Sequence, residues 1–114
     1  MIILQIKMAR GDSCEKGVIK KRNGEPDTTV FDEVYFTVKR RYGDREMLFQ
    51  KTLTNGGIQS DGEGHYTLFI YPADTDNLSF GEYVFDFEFV KDYYKRTYTG
   101  KLILTEEATH VANE

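Results

Sequence analysis

The strongest constraint in the chain is an alternation of period two from Glu82 to Val90, read as Glu-Tyr-Val-Phe-Asp-Phe-Glu-Phe-Val. Tyr83, Phe85, Phe87 and Phe89 fall on one side of it, with Glu82, Asp86 and Glu88 on the other. A strand sends successive side chains to opposite faces, whereas a helix would scatter these rings around its circumference. Each ring taken out of water is worth about 1.5–3 kcal/mol, so this segment predicts a half-buried strand that supplies much of the core.

Weaker alternations surround it. Val34, Phe36 and Val38 oppose Tyr35, Thr37 and Lys39, and Tyr66, Leu68 and Ile70 oppose Thr67, Phe69 and Tyr71. Ile2, Leu4, Ile6 and Met8 predict an opening strand, residues 47–53 another, and residues 96–104 a closing one, with residues 14–20 a less regular candidate. Between these runs lie clusters that favour turns, at residues 22–27, 41–44, 55–57 and 61–64. The expectation is an all-β chain, a two-sheet sandwich of about seven antiparallel strands. A length of 114 residues fits one domain over residues 1–114, with no linker or internal repeat.

Composition narrows the classes of function. Fifteen lysines and arginines against 19 aspartates and glutamates give a net charge of −4, which argues against general affinity for nucleic acid or an anionic membrane. The single cysteine, Cys14, leaves no internal disulfide, and His65 and His110 make a poor metal pair. The opening residues are interrupted by Gln5 and Lys7 and contain no secretory apolar core, so a cytosolic site of synthesis is expected.

The stretch Asp74-Thr75-Asp76-Asn77-Leu78-Ser79-Phe80-Gly81-Glu82-Tyr83 leads into the aromatic strand with the spacing of a tyrosine corner. In that arrangement the Tyr83 phenol bonds to upstream backbone, Leu78 plugs the end of the sandwich, and Gly81 serves the turn. Phe85 stands where an antibody domain has its second cysteine, and the chain has no tryptophan. An antibody-type domain is thereby excluded, and a broader immunoglobulin-like sandwich is retained.

No set of residues reads as a catalytic site. His65 has no nucleophile arguable around it, and Cys14 reads as a small core residue. Asp74, Asp76 and Asn77 supply half of a calcium loop, with Leu78 and Ser79 where further ligands and a glycine are needed, so Asp74 reads as an N-cap or Asx-turn residue. Asp86 and Glu88 read as outward charges rather than a glycosidase pair. Lys20-Lys21-Arg22 and Lys39-Arg40-Arg41 read as solvated strand ends that resist edge pairing. Tyr35, Phe69 and Tyr71, with Val84 and Val90, add apolar surface on the second face of their strands and are the candidate interface.

Several segments follow one another in a recognisable order: Arg10-Gly11-Asp12-Ser13, Phe36-Thr37-Val38-Lys39, Tyr71-Pro72-Ala73-Asp74-Thr75, Leu78, Gly81-Glu82-Tyr83-Val84-Phe85-Asp86, Thr97, Gly100-Lys101 and Leu104-Thr105. This order resembles the immunoglobulin-like domain at the N-terminus of phage baseplate upper proteins and of related small prophage tail or neck proteins. The resemblance implies a non-enzymatic structural protein that needs no cofactor or metal. It also implies assembly with its own copies or with baseplate and tail proteins, in the host cytoplasm and then in the virion. The alternative expectation is a carbohydrate-binding or adhesive module, assisted by calcium at Asp74 and Asp76, with Tyr42, Tyr93, Tyr94 and Tyr98 as sugar platforms.

Overall fold

The computed structural model describes residues 4–106. The described residues form β1 (Leu4–Ala9), β2 (Cys14–Ile19), a two-residue hairpin of β3 (Lys21–Arg22) and β4 (Glu25–Pro26), then β5 (Glu33–Lys39), β6 (Phe49–Thr52), β7 (Ile58–Ser60) and β8 (His65–Ile70). A single helical turn, α1 (Pro72–Thr75), precedes the long strands β9 (Gly81–Lys91) and β10 (Tyr94–Thr105). Ile2 and His110 lie outside the described residues.

One sheet runs β1-β10-β9-β5-β6 and the other β2-β8-β7. Register follows from burial. Phe85, Phe87 and Phe89 of β9 stand opposite Val38, Phe36 and Val34 of β5, and all six are buried on the inner face. Tyr66, Leu68 and Ile70 of β8, with Ile58 of β7, cover them from the second sheet, and the apolar residues of both sheets form one cluster. The ring of Phe36 packs 4.9 Å from Phe85 and 5.4 Å from Phe87, and that of Tyr66 packs 5.2 Å from Phe89, tilted or edge-on as aromatic quadrupoles prefer. The chain is an all-β sandwich.

Four details depart from the sequence reading. The strands are not all antiparallel, because β1 lies parallel to β10, Leu4 opposite Gly100 and Ala9 opposite Thr105. Alternation specifies which side chains face inward and says nothing of strand direction, and no turn joins these two strands to fix it. There are ten strands among the described residues, rather than about seven; β7 is too short to show a period, β4 lies inside a stretch read as a turn, and β3 straddles the start of that stretch. The strand expected at residues 47–53 is trimmed to Phe49–Thr52, and the closing strand is longer than residues 96–104. Finally, α1 occupies a segment read as a turn: Pro72 takes its first turn, and the Asp74 carboxylate reaches back to accept the Tyr71 N–H at 2.7 Å. Asp74 is thus the third residue of that turn rather than its N-cap.

Candidate functional site

One end of the sandwich is closed by the entry into β9. The Tyr83 hydroxyl donates to the Ser79 carbonyl at 2.7 Å while its ring is buried. Leu78 is buried beside it, and Gly81 holds φ at +132°, a conformation that side-chain-bearing residues rarely adopt. Phe85, almost fully buried, packs on Phe36 one residue pair further in. The loop after β1 ties into the same end. Thr75 is fully buried and its Oγ1 accepts the Gly11 N–H at 2.8 Å, while the Arg10 guanidinium lies 4.3 Å over the Phe80 ring. This end is a structural plug, and its polar groups are spent on holding loops together.

The opposite end holds a buried ion pair that the sequence reading missed. Lys20 Nζ sits 2.9 Å from Asp27 Oδ2, and the two side chains are only 1% and 5% exposed. The ammonium also approaches the rings of Phe31, Phe89 and Tyr94 at 5.6–5.8 Å and the Tyr94 hydroxyl at 3.3 Å. Hydrogen bonds from Thr29 draw the Asp27 carboxyl down to about 2; burial opposes that shift and Lys20 reinforces it. Burial works against the charge on Lys20, but its bonds to Asp27 and Tyr94 outweigh it and raise the pKa. A lysine in phase with the half-buried Val18 was the available signal, since an inward charge requires a buried counter-charge. Beside this pair, Arg22, Thr29, Asp92, Tyr93 and Tyr94 border a cavity of about 310 Å³, with Tyr93 fully exposed at the tip of the β9–β10 hairpin.

The candidate interface residues do not share a surface. Tyr35 lies on the outer face of the five-stranded sheet, opposite Glu88, and Val84 and Val90 belong to that same face. Phe69 lies on the outer face of the three-stranded sheet, stacked on Tyr71 with centroids 6.5 Å apart and planes 12° apart. Tyr71 is half exposed and lies under the Lys51 ammonium at 4.8 Å, which in turn meets Asp74 Oδ2 at 2.7 Å. Lys51 points inward, in register with Phe36, and this contact ties the margin of one sheet to the other. Glu33 performs a similar task at the β6–β7 connection, where its carboxylate accepts the backbone N–H groups of Val34 and Leu53 and the Thr54 hydroxyl. Burial would raise the Glu33 pKa, but these bonds prevail and lower it.

The remaining candidates are dispersed. Asp86 and Glu88 are half buried on the outer face, and burial, then the neighbouring Glu88 charge, raises the Asp86 pKa. His65 pairs with Asp61 at 2.9 Å on an exposed turn, and Cys14 packs against the core. Asp76 and Asn77 are exposed, and no group of three or more histidine, cysteine, aspartate or glutamate side chains able to hold a metal occurs among the described residues. The basic clusters lie toward opposite ends of β9: Lys39 pairs in register with Val84, whereas Lys20 is turned inward near Phe89. Of the sugar-platform tyrosines, Tyr93 and Tyr94 share the cavity, Tyr98 lies between the sheets, and Tyr42 is elsewhere, its hydroxyl donating to the Gly100 carbonyl at 2.9 Å. Among the described residues no helix is long and apolar enough to cross a membrane. No protein-family model matches the chain, and no curated protein matches it.

Proposed function

We propose that this chain is a non-enzymatic structural protein of a phage or prophage tail, baseplate or neck. In this reading it assembles through an immunoglobulin-like sandwich with its own copies or with other tail proteins. The observation that carries the reading is the strand order. A sheet β1-β10-β9-β5-β6, with β1 parallel to β10, faces a sheet β2-β8-β7, and a tyrosine corner opens β9. That order and that corner support the immunoglobulin-like arrangement, which the run from Asp74 to Asp86 implies by resemblance. Tyr35 on one outer face and the Phe69–Tyr71 stack on the other leave two separate aromatic surfaces for neighbours. The test is light scattering across a concentration series, together with capture of particle proteins from an induced lysogen. Self-association or a captured tail protein is expected. A strict monomer that captures no tail protein overturns the reading.

A second reading is favoured by the cavity at the β9–β10 hairpin. Tyr93 and Tyr94 flank polar groups of Arg22, Thr29 and Asp92 there, which suits a sugar ring stacked on a phenol and hydrogen-bonded at its edge. A glycan array probed with and without chelator separates the readings: saccharide binding lost on Tyr93→Ala supports a carbohydrate module, and silence supports assembly.

A further inference from the structure

Among the described residues β1 reaches only as far as the pair Leu4–Gly100, so Tyr94–Tyr98 of β10 have no strand on that side. On the opposing sheet β2 is also an edge strand. Between them runs a trough made of two neighbouring cavities of about 290 and 210 Å³, which share Val18, Ile19 and Phe87; Phe89 and Tyr98 extend the larger one. Its walls are mainly apolar, and among the described residues the only charged side chains lining it are Lys16, Lys20 and Lys21. Arg96 lies next to the trough, its guanidinium 5.5 Å over the Tyr98 ring.

Lys16 and Arg96, like Lys20, occupy inward positions. Lys16 is opposite Leu68 and Arg96 is opposite Phe89, so both point to the core side of their sheets, yet both are exposed. The inward lysines Lys20 and Lys51 each meet a carboxylate from the same chain, Lys20 with Asp27 and Lys51 with Asp74. Lys16 and Arg96 make no ion pair among the described residues. A second copy pairing antiparallel about Arg96 would set the two guanidinium groups against each other, and inward cations of this kind discourage edge-to-edge pairing of like strands.

We propose that this seam receives one extended segment of a partner protein, added as a strand along Tyr94–Tyr98. The segment carries aliphatic side chains over Phe87, Phe89 and Tyr98 and carboxylates toward Arg96 and Lys16. Main-chain hydrogen bonds along Tyr94–Tyr98 hold it, and the alternate side chains select it. This rests on the assembly reading above and adds the chemistry of the partner.

The test is a titration of the full chain, labelled with nitrogen-15, with the capped peptide Glu-Thr-Val-Thr-Val-Thr-Glu. Amide shifts are expected at Lys95–Tyr98 and Val18, with slowed hydrogen exchange along Tyr94–Tyr98. Arg96→Glu, on an exposed side chain, is expected to weaken binding about tenfold, and the counterpart peptide with lysine in place of glutamate is expected to regain it on that variant. Three outcomes overturn the proposal: no response at the seam at millimolar peptide; seam amides that respond to protein concentration alone, which would make the occupant a second copy; and amides already protected that become accessible only when residues 1–3 are deleted, which would make it the chain's own start. A silent peptide with association to tail proteins intact removes the seam and leaves the assembly reading standing. Peptide binding by a strict monomer that captures no tail protein does the reverse.

Discussion

Replacing Asp27 with asparagine tests the physical account of the buried end most directly. The substitution keeps the volume and leaves an oxygen for the Thr29 N–H, now 3.0 Å from Asp27 Oδ1, but it removes the charge 2.9 Å from Lys20 Nζ. That ammonium is 1% exposed and surrounded by three rings, so water cannot replace the lost partner. Breaking one side of a buried pair costs about 3–5 kcal/mol in general. Here the Tyr94 hydroxyl and the Lys21 carbonyl still accept from Lys20, which places the expected loss near the lower bound, about 3 kcal/mol. Urea unfolding followed by circular dichroism reads it as a lower midpoint. Adding Lys20→Met should return at least about 1 kcal/mol of it, because the orphaned charge is gone.

Acid titration gives a second readout of the same pair. The Asp27 pKa falls from 3.8 to about 2 on folding, so its contribution is fully present above about pH 4 and is lost as pH falls toward 2. The difference is worth about 2 kcal/mol, and that part of the acid limb should be missing in Asp27→Asn. An unchanged urea midpoint, or an acid limb identical to that of the parent chain, would refute the claim that this pair holds the end of the sandwich.

Three further outcomes follow from the same geometry. Tyr83→Phe removes the bond to the Ser79 carbonyl and is expected to lower stability by about 1 kcal/mol in urea unfolding; no change would mean that the hydroxyl does not hold the corner. Gly64→Ala puts a methyl 2.9 Å from the Asp27 carbonyl oxygen at a φ of +89°, and should cost about 1–3 kcal/mol with the far-ultraviolet spectrum retained, read by thermal unfolding. Because Tyr35 and Phe69 lie on opposite outer faces, Tyr35→Glu and Phe69→Glu should not act alike. Light scattering is expected to show assembly lost with one and kept with the other, whereas equal loss would mean that both faces are used.

The parts of this fold that were legible in the sequence are those decided by side-chain direction. Tyr83, Phe85, Phe87 and Phe89 face inward because a period of two leaves no other way to bury four rings at once. The corner was legible because all its parts lie within a few residues of one another. Pairing direction was not, and β1 shows why: its inward Ile6 and Met8 would satisfy a parallel or an antiparallel neighbour equally well. The ion pairs were half legible. Lys20 and Lys51 stand at inward positions that can be read from the alternation, but Asp27 and Asp74 come from outside their strands and only the folded chain brings them within reach.

The irregularity of β2 has the same origin as the open seam. Residues 14–20 read poorly as a strand because Lys16 interrupts the inward series of Cys14 and Val18. A lysine is tolerated there because no strand among the described residues covers that part of the inner face, and its exposure shows that the opposing sheet does not reach it. Were the position enclosed as Lys51 is, desolvation would demand a counter-charge at hand, and the described residues supply one to Lys51 but not to Lys16. The weakest strand in the sequence therefore marks the side of the sandwich that the described strands leave uncovered, and a polar interruption within an otherwise apolar alternation locates that side in the sequence.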